Sequence, residues 1–179
     1  MPGCDVTENQ TVPGLDPALG IRDTWTYFAW QAHFGVDLAV ERLRALPPDT
    51  SNGDGRALVD TTSLVIALWR LRVVAEAETS VTDAHPALVA ALGAYDAALP
   101  DLRKLRNVTM HFDNYVLEND KRQNRVMPGG PLIGPRDLWA ISHSPLGVRW
   151  LGVSLTYSQA LAAARALYDA IQTVNNGRA

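Results

Sequence analysis

DPALGIRDTWTYFAWQAHFGVDLAVERLRAL, residues 16–46, is the stretch on which the fold turns. Asp16 can cap a helix and Pro17 suits its first position. From there only Gly20 and Gly35 interrupt the helical pattern, and Pro47-Pro48 ends it. Ile21, Trp25, Phe28, Ala32, Ala39 and Leu43 recur at helical spacing as one apolar stripe; Tyr27, Trp30, Phe34 and Leu38 make a second. A helix apolar on two faces is either central in a bundle or covered by another subunit. A single-layer helical domain has few central positions, which favours the second and predicts a homodimer.

Residues 49–55 form a polar, glycine-rich loop that lacks the Lys-Ser/Thr pair a phosphate-binding loop needs. A second helix follows from about Arg56 to Thr79, with Leu58, Leu64, Val65, Leu68, Leu71 and Val74 as its packing face. Glu76 and Glu78 stand near its C-terminal end, where the helix dipole disfavours carboxylates, so they imply either basic partners or an exposed helix end. His85-Pro86 opens a third helix reaching Leu99, and Pro100 kinks it or starts another at Asp101. A polar helix then runs to about Asn119, and residues 120–135 read as a Pro/Gly-rich loop.

Beyond that loop the period changes to two. Trp139, Ile141 and His143 alternate with Ala140 and Ser142; Arg149, Leu151, Val153 and Leu155 alternate with Val148, Trp150, Gly152 and Ser154. With Ser144-Pro-Leu-Gly147 as the turn, this is a β-hairpin at about 138–155, whose Trp139 or Trp150 face should lie on the helices or on a second subunit. Thr156 and Gln159 form a capping-box pattern for a last helix with Leu161, Ala164, Leu167, Tyr168 and Ile171 as its seam. The expectation is a mainly α fold: a bundle of four to five helices with a β-hairpin inserted before the last helix. Residues 1–15 read as a flexible leader and 16–179 as one helical domain.

The 179 residues are enough for one domain with a genuine core. A formal charge of −3 gives no general pull on nucleic acid and no DNA signal. Residues 101–125 nevertheless hold six basic groups against four acids, a local excess of two. Cys4 is the single cysteine, so no internal disulfide or thiolate metal site forms. No two histidines are spaced for zinc, and no serine-hydrolase elbow or dinucleotide fingerprint exists, so no metal and no cofactor is expected. No apolar run of about 18 residues and no secretory signal appear, which predicts a cytoplasmic protein without a membrane partner. Fourteen arginines against two lysines point to a GC-rich bacterial source.

The polar helix LRKLRNVTMHFDNYV, residues 102–116, carries the chemistry. Leu102, Leu105, Thr109, Phe112 and Val116 make its apolar seam. Asn107, His111, Asn114, Tyr115 and Glu118 share another face, with Arg103 and Arg106 at its edge. Histidine, asparagine and tyrosine are poorer helix formers than Lys, Glu or Gln, so their clustering invites a functional explanation. His111 can exchange a proton near neutral pH, and Arg106 can hold a phosphate as charge develops on it. Asn107, one turn before His111, can orient either group.

At Arg106, Asn107 and His111 the chain resembles the HEPN family of compact helical bundles. The resemblance implies metal-independent RNA cleavage or RNA binding of a toxin or defence type, at a site assembled from two motifs across a homodimer. Arg106, Asn107 and His111 would be catalytic, and Arg103, Lys104, Asn114 and Tyr115 would bind substrate. Three alternatives stay open. The three motif residues would instead pair with Asp96, Asp101 or Asp113 to hold two helices together. The aromatic first helix or the hairpin would recruit a copy or another protein partner in a non-enzymatic interaction module. A small molecule would occupy a space between helices lined by Trp and Tyr. For His33, His85 and His143, packing or helix-start roles are expected.

Overall fold

The computed structural model describes residues 21–47, 55–81, 85–112 and 133–176. Within them the chain runs α1 (Ile21–Ala45), α2 (Gly55–Val81), α3 (Pro86–Ala98), α4 (Leu102–Met110), α5 (Pro135–Trp139), β1 (Ile141–Ser144), β2 (Gly147–Trp150), β3 (Val153–Thr156) and α6 (Tyr157–Asn176). The protein is mainly α, a helical bundle with a small antiparallel sheet inserted before the last helix. Among the described residues no helix is long and apolar enough to cross a membrane.

Helices α1 and α2 share the most extensive contact, and α6 packs on both. The seam of α1 is made by small side chains: Ala29, Ala32, Val36, Ala39, Val40 and Leu43 are all buried. Small residues let the backbones approach closely, and a Cβ on Gly35 would stand 3.2 Å from the Cβ of Ala67. Phe28, expected in this seam, is instead 45% exposed, because the buried stripe runs through Ala29, Ala32, Val36, Val40 and Leu43 and leaves position 28 at its edge. Leu64, Leu68 and Leu71 of α2 are completely buried; each such side chain contributes about 1.5–3 kcal/mol.

Helix α3 lies against α6 and α2. Tyr95, 2% exposed, donates its hydroxyl to the Leu68 carbonyl at 2.8 Å, satisfying a polar tip inside the core. Burial drives that phenol well above its ordinary pKa. His85 precedes α3 in an extended conformation with Pro86 at the first turn, as expected of a helix start. The chain turns at Pro100 and restarts as α4, which packs on α2 through buried Leu102, Leu105 and Val108. The seam therefore passes through Val108 rather than Thr109, whose hydroxyl donates back to the Leu105 carbonyl at 2.9 Å.

The expected hairpin is present and carries a third strand, in the order β1-β2-β3. Leu151 and Gly152, with φ of 53° and 77°, form a tight turn between β2 and β3. A two-residue turn shifts the alternation by one. A single long strand would have put residues 149, 151, 153 and 155 on one face; the turn instead sets Val148 opposite Leu155 and Trp150 opposite Val153. Gly147 is obligatory for close approach, since a Cβ there would run into the Leu155 carbonyl. Trp150, 2% exposed, donates its indole N–H to the Leu138 carbonyl at 3.1 Å and anchors the sheet to α5. The start of α6 is capped as expected, with the Gln159 N–H donating to Thr156 Oγ1 at 3.3 Å. Gln159 Nε2 also donates to the Ala98 carbonyl at 2.6 Å, tying α6 to the end of α3.

Candidate functional site

The two arginines of α4 reach a groove between α2 and the α3–α4 corner, with a cavity volume of about 450 Å³. Trp69 and Arg72 line it from α2, Asp96 from α3, and Arg103, Arg106 and Asn107 from α4. Helical periodicity accounts for the set: residues 69, 72 and 76 lie on one face of α2, and 103, 106 and 107 on one face of α4.

The Arg106 guanidinium lies over the Trp69 indole, 5.3 Å from the ring centroid. Its Nη1 donates to Asn107 Oδ1 at 3.1 Å, while its Nε is buried with no hydrogen-bond partner among the described residues. No carboxylate bonds Arg106 or Arg103 among the described residues. Arg72 also lies over Trp69 at 5.3 Å, but it is fully engaged. Its Nε and Nη2 donate to the two oxygens of Asp96 at 2.8 and 2.9 Å, and its Nη1 donates to Glu76 Oε2 at 2.8 Å. The bond to Asp96 is the main reason Arg72 holds its proton above the ordinary arginine range, against the opposing effect of burial.

These pairings overturn the expectation that Asp96 or Asp101 partners the motif. Asp96 belongs to Arg72, and Asp101 bonds Lys104 Nζ at 2.8 Å, a contact one turn away along α4. Lys104 does not line the groove, so its expected substrate contact is not supplied by this geometry. Helix α4 itself closes at Met110, and the expected helix end near Asn119 lies outside the described residues. His111 leaves helical geometry with φ −124° and ψ 34°, its N–H still bonding the carbonyls of Asn107 and Val108 at 3.1 and 3.3 Å. His111 is exposed and is not among the groove-lining residues; it stands one turn beyond Asn107 at the end of the helix. Asn114, Tyr115, Glu118 and Asp113 lie outside the described residues, as do residues 1–15 and Cys4.

Trp69 and Arg72 were not anticipated. The apolar seam of α2 does not include them; the signal that would find them is the Trp69-x-x-Arg72-x-x-x-Glu76 spacing along the border of that seam. Elsewhere, His33 packs on Tyr168 with ring centroids 4.7 Å apart and stands 3.5 Å from Asp37 Oδ2. His143 is half-buried in β1 with both ring nitrogens buried and, among the described residues, without a hydrogen-bond partner. Both fit packing roles. Among the described residues no group of three His, Cys, Asp or Glu is placed to hold a metal ion.

Comparison with protein-family models, with curated proteins and with solved structures finds no match to this chain.

Proposed function

We propose that this chain is a HEPN-like RNA-binding protein that cleaves RNA without a metal ion, of a toxin or defence type, with the Arg106 groove as its phosphate site. One observation carries the proposal: a guanidinium lies over an indole, with no carboxylate partner among the described residues, at the wall of a groove it shares with Arg103 and Asn107. An arginine serving only structure would be saturated, as Arg72 is. Phosphate oxygens satisfy such a planar donor set better than any point-charge contact.

Cleavage assigns His111 as general base. Neutral imidazole takes the proton of a ribose 2′-hydroxyl, the O2′–P bond forms and the P–O5′ bond breaks. The products are a 2′,3′-cyclic phosphate and a 5′-hydroxyl, the leaving oxygen taking its proton from solvent or from the imidazolium of a second copy. Arg106 stabilises the charge growing on the phosphoryl oxygens, and Asn107 steadies the guanidinium. The exposure of His111 leaves it free to reach RNA or a second copy.

The test is RNA cleavage in the presence of EDTA. Cyclic-phosphate ends should form, and His111→Ala should slow the reaction by about 10²- to 10⁴-fold with the circular dichroism unchanged. Cleavage that EDTA abolishes, or that His111→Ala leaves intact, contradicts the assignment.

A second reading draws on α1. Tyr27, Trp30 and Phe34 are each about half exposed and stack along the helix, with centroids 6.1 and 5.7 Å apart. This ladder suits a homodimer or a protein partner, and in a purely non-enzymatic module His111→Ala would be silent while Trp30→Ala weakened assembly. Trp150 offers no such surface, being buried against α5; Trp139, 51% exposed, is the aromatic the sheet region leaves accessible.

A further inference from the structure

The groove at Arg106 is lined by groups of both signs. Arg72, Asp96 and Glu76 together carry one excess negative charge, while Arg103 and Arg106 bring two positive charges. Arg72 and Arg106 each lie 5.3 Å from the Trp69 ring centroid, and Arg72 holds the Glu76 carboxylate at 2.8 Å, so an acceptor and a free guanidinium flank one indole. A cavity of about 450 Å³ is also of the size that encloses a small ligand.

The two carboxylates are not equivalent. Both oxygens of Asp96 already accept bonds from Arg72, whereas Glu76 receives Arg72 through Oε2 alone and its side chain is 57% exposed. Arg72 thus steadies Glu76 through Oε2, and among the described residues Oε1 accepts no hydrogen bond. An ionised carboxylate only accepts hydrogen bonds, so it favours a partner with two adjacent donors and repels one that presents an acceptor. Among the four RNA bases, guanine alone carries two neighbouring donors, N1–H and the 2-amino group. Adenine and cytosine place a ring acceptor beside their amino group, and uracil flanks one N–H with two carbonyls.

Resting on the RNA-binding reading, we propose that this groove is a guanosine slot. Its phosphate lies on Arg103 and Arg106, and its Watson–Crick edge lies on Glu76. Oε1 accepts one of the two guanine donors and the second lone pair of Oε2, beside the Arg72 bond, accepts the other; inosine, which lacks only the 2-amino group, makes one bond where guanosine makes two.

The experiment measures binding of 5′-GMP, 5′-IMP and 5′-UMP to the full chain by calorimetry, which requires no cleavage. GMP should bind about tenfold to a hundredfold more tightly than IMP, and UMP more weakly still. Glu76→Gln should abolish the GMP preference with the circular dichroism unchanged, since Arg72 keeps its two bonds to Asp96. A short single-stranded RNA with one guanosine should bind more tightly than GMP and lose the same factor when that guanosine becomes inosine. Equal binding of the three nucleotides, or a preference that survives Glu76→Gln, overturns base reading while leaving the phosphate groove standing. Failure of every nucleotide to bind, together with RNA affinity unchanged by Arg106→Ala, removes both the slot and the RNA reading beneath it. A mononucleotide that binds more tightly than the RNA overturns the assignment to RNA.

Discussion

Replacing Arg106 by methionine separates a functional arginine from a structural one, because the contacts of this side chain act on folding with opposite signs. The substitution keeps the unbranched chain and removes the guanidinium. Loss of its stacking on Trp69 at 5.3 Å destabilises by about 1 kcal/mol. Loss of the bond to Asn107 Oδ1 at 3.1 Å takes about another 1 kcal/mol. Against these, removing a buried Nε that has no partner among the described residues relieves about 1–3 kcal/mol. The net falls within about 1 kcal/mol of zero, a shift of no more than about 4 °C in Tm for a chain of this size. RNA affinity should behave differently: charge-assisted bonds to phosphate are worth about 1.5–3 kcal/mol, so binding should weaken roughly 10- to 150-fold. Thermal unfolding followed by circular dichroism reads the first quantity, and fluorescence anisotropy with single-stranded RNA at fixed salt reads the second. Arg106→Lys, which keeps the charge and loses the planar fork, should fall between. A Tm lowered by more than about 8 °C with RNA affinity intact would mean that Arg106 is a clamp between α2 and α4.

Trp150→Phe leaves the Leu138 carbonyl without its donor and opens a small void, and should lower stability by about 2–3 kcal/mol in urea titration; a change under about 0.5 kcal/mol would contradict the anchoring of the sheet through α5. Burial pushes the Tyr157 phenol up from 10.0 to about 12, with Arg44 over its ring opposing part of that rise. A phenol whose pKa is higher folded than unfolded contributes stability that is complete below pH 10 and is lost as the pH climbs toward 12. Tyr157→Phe should therefore flatten the loss of stability between pH 10 and 12 without lowering Tm at neutral pH, since the hydroxyl has no hydrogen-bond partner among the described residues. Trp30→Glu should leave Tm nearly unchanged, because Trp30 is half exposed, yet reduce self-association in sedimentation experiments; a wild-type chain that stays monomeric at all concentrations argues against the α1 ladder as a dimer surface.

The architecture was legible where local rules act alone. Pro47-Pro48, Pro86 and Pro100 punctuate the helices by backbone geometry that no tertiary context can override, and Thr156 with Gln159 marks the start of α6 for the same reason. The third strand was hidden because alternation reads straight through Leu151-Gly152; a leucine at positive φ gives no turn signal, and what holds it there is its burial, at 8% exposure. Phe28 was misplaced because hydrophobicity says that a residue prefers burial, not that the buried stripe of its helix passes through it. At the site, Arg106 and Asn107 were found from their place on one helix. Trp69, over whose ring Arg106 lies, and Arg72, which lines the same groove, come from a helix more than 30 residues earlier in the chain, and a single sequence carries no record of that pairing.

Photo-crosslinking of single-stranded RNA to the full protein, with the attachment sites mapped by mass spectrometry, asks directly whether the groove receives RNA. Crosslinks should concentrate at Trp69 and at residues 103–107, and should disappear in Arg106→Ala while the protein stays folded. Crosslinks confined to α1 or the sheet, or a groove left unmarked under conditions where RNA is bound, would contradict Arg106 as the phosphate contact.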